Sequence, residues 1–348
     1  MDVSRQGFSL VFISFFLLLI SGCNANPGYS LAAVSVEGFT EDVAIPYILK
    51  TNDSDASCQL GSSNWPLFSS LNDLSERPPK TLSLLLLLSA NCSEQRAFTA
   101  ELRSIRAFKA GVFSEAKDAN TEYKTLIQLT AERRLKSYQA AMNSVGFNPD
   151  DRQEECPDFE DEQSEMVFLY GLVTGLQAML ADTLVEGRAG VPRSIAPTAA
   201  RAAGCFDNTQ WGGTPKAIQA AVWLMLPDLN KDSNQSPWGL LRESVEEGNQ
   251  FGVSTPLAIF SLMADSVNNE PQLAWALATL KEEKQINASL ALIDSIALSQ
   301  VQAVSDRLWT QKTGERTPFG KLGSMPQNDS RESFEDDDQA ASALDDFL

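Results

Sequence analysis

The sequence predicts an all-α fold, an α-solenoid-like array of helical hairpins with no clean internal repeat, and three observations predict it. Apolar residues recur three and four positions apart through long windows. Glycine and proline punctuate those windows as helix stops and starts do. No window alternates apolar and polar residues with the β-branched enrichment of a strand.

The chain opens on Arg5 and a run from Phe8 to Ile20 that is apolar except for two serines. Thirteen helical residues span about 20 Å, too short for a bilayer core of about 30 Å, so the run reads as a secretory signal. Ile20-Ser21-Gly22-Cys23 follows it. That tetrad resembles the lipobox of bacterial lipoproteins, in which two small residues let the backbone enter a peptidase and the cysteine thiol takes the lipid. Cys23 is therefore the expected lipid attachment point and the membrane anchor. Asn24 rather than Asp comes next, so the common inner-membrane retention signal is missing. The expected location is the periplasmic face of the envelope, at the outer membrane. The organisation predicted is a signal peptide over 1–22, a tether over 23–37, a helical-repeat domain over 38–314 and a disordered acidic tail over 315–348.

Within the domain, "TLSLLLLLSAN" is an apolar run too short for a membrane and reads as a buried helix of a packed array. In "EQRAFTAELRSIRAFKAGVF", Phe98, Leu102, Ile105 and Phe108 share one face. Tyr123, Leu126, Leu135, Tyr138, Met142 and Val145 continue the rhythm until Gly146 stops it. The acidic run from Asp150 to Glu165 reads as a loop ending at a helix cap, where acids suit the helix dipole. "SEMVFLYGLVTGLQAMLADTL" is apolar nearly all round, with Gly171 and Gly175 four apart. Such a pair dimerises helices in membranes, but Thr174, Gln177 and the flanking acids favour a close helix contact inside a soluble bundle.

Thr214 is placed as an N-cap, with Pro215 at the first helical position and Pro227 as terminator. Ser236–Pro237 starts another helix, and Leu290, Ile293, Ala297, Val301, Val304 and Leu308 mark a long amphipathic one. From about Thr317 the pattern dissolves into Gly, Ser, Pro and acids.

Composition excludes several functions. The chain carries 27 Lys and Arg against 46 Asp and Glu, a net charge of −19, which repels nucleic acid and anionic headgroups. It contains no histidine, so Ser–His and Cys–His nucleophilic sites and histidine-ligated metals are ruled out. No Gly-rich phosphate loop, GxSxG elbow or CxxC pair appears. The expectation is a non-enzyme with no cofactor.

Besides Cys23 there are Cys58, Cys92, Cys156 and Cys205. Four cysteines in an oxidising compartment allow two disulfides in three connectivities. Sequence order favours Cys58–Cys92 and Cys156–Cys205, with four buried thiols as the other reading. Asp228, Asn230, Asp232 and Asn234 alternate as calcium ligands do in an EF-hand. Ser233 stands where that loop needs Gly and Gly239 where it needs Glu, so a polar turn is the default and no metal is expected. Asp294, between apolar residues, is placed on the rim of the last helix. Tyr170, Trp211, Trp223, Trp238 and Trp275 are candidates for the wall of a ligand cleft, core packing being the competing use of aromatics at helical spacing.

"VAIPYILK", with Ala44, Pro46, Leu49 and Lys50, resembles the Ala-x-Pro-x-x-Leu-Lys stretch of the TatT-type lipoproteins. These are the T components that accompany some tripartite ATP-independent periplasmic (TRAP) transporters. The order of later features is similar too: the Leu84–Leu88 run, a helix with Arg133 and Arg134, the Tyr170-Gly171 helix, the hairpin ending at Pro227 and the Leu290–Trp309 helix, over roughly 38 to 312. The resemblance implies a lipid-anchored array of tetratricopeptide-like hairpins that forms a homotrimer. Its partner would be a periplasmic solute-binding protein, with a hydrophobic or organic-acid ligand passing through a cleft. The four cysteines, the acidic loop and the acidic tail depart from that pattern. The alternative function is an outer-membrane scaffold for another envelope complex with no part in transport.

Overall fold

The computed structural model describes residues 27–71, 79–151, 156–231, 233–280 and 285–326. The signal segment, Cys23 and the tail from 327 onward lie outside the described residues. All regular structure among those described is helical.

Helix α1 (Pro27–Phe39) starts inside the stretch expected as tether, so the helical body begins before residue 38. It runs through a π-helical segment (Thr40–Ala44) into α2 (Ile45–Leu49). The π turn carries one residue more than an α turn. That residue brings Ile45 round to the side of Ala33 and Thr40, and these three are buried with Ile48. Helix α3 (Ser54–Leu71) starts where Asp53 accepts the Ala56 amide at 2.9 Å.

The body is built on α4 (Lys80–Lys109) and α5 (Phe113–Ser144). The leucine run and the "EQRAF" segment, read as two helices, are one. Nothing between them breaks a helix; only the hydropathy changes. Ser83 Oγ donates to the Ser137 carbonyl at 2.9 Å, Thr130 Oγ1 to Ser93 Oγ at 2.8 Å, and Ser104 Oγ to the Ala116 carbonyl at 3.0 Å. One residue number falls as the other rises, so the two helices are antiparallel neighbours. Ala97, Ala100, Ser104 and Ala107 form the buried seam of α4, while Phe98, Ile105 and Phe108 are only partly covered. Small side chains let the backbones approach closely; the large ones lie beside the seam.

Helix α6 (Glu162–Leu184) is capped by Asp161, whose Oδ1 accepts the Ser164 amide at 2.6 Å. The Ser164 hydroxyl and amide hold the Asp161 carboxyl below its ordinary range, and Lys80 adds to them. Helix α6 is long and apolar enough to cross a membrane, yet 78% of its apolar window is buried inside the body. A Cβ on Gly171 would overlap that of Ala141, and one on Gly175 would lie 2.7 Å from the Tyr138 ring and 2.9 Å from Ile195. The glycine pair thus seats α6 against α5. Gly171→Val is expected to destabilise the fold by about 1–3 kcal/mol through overpacking; urea unfolding of the variant beside the parent measures it.

Short helices follow: α7 (Ile195–Ala202), α8 (Thr214–Met225), α9 (Pro237–Phe251), α10 (Thr255–Ser266) and α11 (Glu270–Ala278). Helix α8 is capped by Gly213 and not by Thr214, one residue earlier than expected. Gly213 has φ 79°, and a Cβ there would lie 2.9 Å from the Ser244 Cα, so α9 crosses too closely for any side chain. Ser236 caps α9 as expected, accepting the Gly239 amide at 3.3 Å.

Helix α12 (Ala291–Thr313) carries the predicted stripe: Ile293, Ala297, Val301, Val304 and Leu308 are all buried. It returns to the first hairpin. Gln300 meets Glu94 and Arg307 meets Glu101, pairs of constant separation in sequence, so α12 runs parallel to α4. In a solenoid each repeat touches only its neighbours; this contact joins the end of the body to its beginning.

The stretch 315–326, assigned to the disordered tail, packs on the body instead. Leu322 and Met325 lie against the core, Trp309 Nε1 donates to the Ser324 carbonyl at 3.2 Å, and Ser305 and Thr317 hydroxyls are 2.8 Å apart.

Candidate functional site

Two concave places stand out. The first is a surface cleft of about 240 Å³ between the end of α2, the start of α6 and the end of α9. Pro46, Leu49 and Lys50 form one wall, and Met166, Trp211 and Phe251 contribute to the rest. The α2 wall is fixed by the π segment, which sets Ile45 and Ile48 inward and leaves Pro46 and Leu49 half-covered. Trp211 is held by a hydrogen bond from Nε1 to Glu165 Oε1 at 2.7 Å. Asp207 ties the turn before it by accepting the Thr209 amide at 2.8 Å, and Gly212 and Gly213, both at positive φ, swing the chain into α8. The cleft is apolar at its base, with Lys50, Glu162 and Gln163 among the polar groups lining it.

The second is an internal cavity of about 30 Å³ where α4, α5, α6, α10 and α12 converge, room for about one or two water molecules. Arg134 Nη2 donates to Glu94 Oε2 at 2.6 Å, with the two side chains 4% and 11% exposed. Gln300 Nε2 reaches the same carboxylate oxygen at 3.3 Å, and Gln177 Nε2 donates to Gln300 Oε1 at 3.1 Å. Burial pushes the Arg134 guanidinium down, and Glu94 opposes that. Tyr170 closes one side with its hydroxyl 3.5 Å from Thr255 Oγ1. Burial raises its phenol to about 12, and the contact with Thr255 opposes that rise. Asn91 also lines the cavity, and its buried Nδ2 has no acceptor among the described protein groups. The site therefore favours a hydrogen-bond acceptor.

A third cluster contains two acids and no cavity. Glu101 Oε1 lies 3.0 Å from Arg307 Nε, and Asp265 Oδ2 bonds the same guanidinium at Nη1. Burial raises both carboxyls, and Arg307 pulls them back down. Two acids do converge here, as acid–base chemistry requires, but a guanidinium occupies the space between them.

The aromatic candidates are not brought together. Tyr170 lines the internal cavity and Trp211 the surface cleft. Trp223 packs against the core, and Trp238 and Trp275 flank Phe260 with ring centroids 5.3 and 4.9 Å away. Arg242 lies over the Trp275 ring at 4.5 Å. These three wall no common cleft. Cys58 is joined to Cys92 and Cys156 to Cys205, with Cα atoms 5.2 and 5.4 Å apart.

The alternating oxygens form no cage among the described residues. Asp228 pairs with Lys231 at 2.8 Å, and Asn230 donates Nδ2 to the Gln235 carbonyl at 3.0 Å. Asn234 is exposed, and Asp232 lies outside the described residues. Asp294, placed on a rim, is 1% exposed, because α12 is covered on more than the side its stripe marks.

Sequence reasoning missed Asn91, Arg134, Gln177 and Gln300 as cavity groups. Asn91, Gln177 and Gln300 are polar residues inside largely apolar helical windows, which was the available signal; Arg134 stands among Glu132, Arg133 and Lys136 and gave none. Compared with known proteins, the chain matches no family model, no curated protein and no solved structure.

Proposed function

We propose that the chain is a non-catalytic, lipid-anchored accessory protein of the periplasm, built of tetratricopeptide-like hairpins, that binds a TRAP-type solute-binding protein. One observation carries this reading. Pro46, Leu49 and Lys50, three of the four residues on which the resemblance to TatT-type lipoproteins rests, line a single surface cleft with Trp211. Residues used only for packing have no reason to gather on the wall of an open cleft. Lys50 is the cation among the residues lining the cleft, on a chain of net charge −19, and offers a positive group to an acidic side chain of the partner or an organic-acid ligand. Behind the α2 wall, Ile48 packs with Leu88 of α4 and Leu292 and Ile296 of α12.

The test is to purify the tagged chain from its own envelope and identify what accompanies it. A TRAP-type binding protein is expected at stoichiometric amount, and its recovery is expected to drop at least tenfold in Lys50→Glu, which reverses the charge at an exposed position. Recovery of envelope-assembly factors alone sinks the reading and favours a scaffold. The mass of the same preparation reads the homotrimer.

A further inference from the structure

The geometry points to the first helix as an interfacial one: α1 and α2 lie flat on the lipid surface, with Leu31, Val34, Phe39, Val43 and Tyr47 in the boundary between headgroups and acyl chains. Those five side chains are 69%, 58%, 63%, 52% and 72% exposed. They are not scattered. Ala33, Thr40, Ile45 and Ile48 mark the buried side, and the π turn keeps that side in register from α1 into α2. The same register holds the apolar residues on the outward side over about 24 Å of helix. Elsewhere the helix is tied to the body through Glu41, which pairs with Lys80 at 2.9 Å.

Three occupants are conceivable, and the charges separate two of them from the third. Residues 27–49 hold Glu37, Glu41 and Asp42 and no Lys or Arg. The tail from 327 onward is itself strongly acidic, so covering the strip with it would set like charges together. A second copy would do the same, acidic helix against acidic helix. An uncharged lipid surface carries no such repulsion.

Position argues the same way. Only Asn24, Ala25 and Asn26 separate Cys23 from Pro27, a reach of about 14 Å when fully extended. With Cys23 acylated, α1 cannot leave the membrane surface, and its apolar side is then within reach of the lipid. This step rests on the lipid-anchor reading of Cys23.

The test supplies the anchor chemically, so that it does not depend on acylation in the cell. The chain from residue 23 is coupled through Cys23, the other four cysteines being in disulfides. The surface is a vesicle of phosphatidylcholine with a small share of maleimide-headgroup lipid. Phe39→Trp, at an exposed position, reports on depth through bromine-labelled acyl chains. About half or more of the added fluorescence is expected to be quenched, since an interfacial helix sinks its apolar side about 5–10 Å into that boundary. Val43→Asp in the same chain is expected to abolish the quenching with far-ultraviolet circular dichroism unchanged.

Unquenched fluorescence on a monomeric chain overturns the proposal. So does a concentration-dependent dimer that Val43→Asp dissolves, which would assign the strip to a second copy. Whether Cys23 is acylated in the cell is read separately, from the mass of the envelope-purified chain. The two claims therefore fail independently.

Discussion

Arg307→Ala is expected to destabilise the chain by about 3 kcal/mol at neutral pH, the lower end of the range for breaking a buried ion pair. The reason is what stays behind. Arg307 on α12 forms ion pairs with Glu101 on α4 and Asp265 on α10, and the three side chains are 16–22% exposed. Truncation leaves two carboxylates facing each other across the space the guanidinium filled. The pH dependence gives the prediction its sign. Burial already raises Glu101 and Asp265, and Arg307 is the group that opposes the rise. Without it, both folded-state pKa values climb further above their unfolded values. A carboxyl whose folded pKa is raised binds more protons when folded, so lowering the pH stabilises the variant relative to its unfolded state. The gap to the parent is therefore expected to shrink from pH 8 toward pH 5. Urea unfolding of both chains across that window measures it, and a gap that stays constant or widens in acid would show that the triad is not what holds α12 to α4.

The all-helical fold was legible because its signals are local. The α12 stripe from Ile293 to Leu308 repeats every three or four residues, and each member is buried. Gly146 has φ 67° just past the end of α5, where the sequence placed a stop. What stayed hidden depends on contacts between segments far apart. Hydropathy weights large side chains, so Phe98 and Ile105 drew attention on α4 while the seam itself is Ala97, Ala100, Ser104 and Ala107. The internal cavity unites Asn91, Arg134, Gln177 and Gln300, which no window contains together. Residues 315–326 read as tail because their anchors are only Leu322 and Met325 among glycines and polar residues, and the partners of those anchors lie elsewhere in the body. The surface cleft was half legible. Pro46, Leu49 and Lys50 were singled out for a resemblance, but only folding sets them opposite Trp211.

Arg134→Leu is expected to cost more than Arg307→Ala, about 3–5 kcal/mol, because its site is drier. Arg134 and Glu94 are 4% and 11% exposed, against 17% for Arg307. Leucine approximates the volume of the arginine stem but leaves Glu94 with Gln300 as its remaining side-chain donor, at 3.3 Å. The cost is then mostly that of an uncompensated buried charge, and this distinguishes the pair from a packing contact. The double variant Glu94→Leu with Arg134→Leu removes the charge along with its counterion. It is expected to recover most of the loss, since replacing a whole buried pair by apolar residues is often neutral or stabilising. A double-mutant cycle in urea measures the coupling, and a double variant no more stable than Arg134→Leu alone would overturn the account.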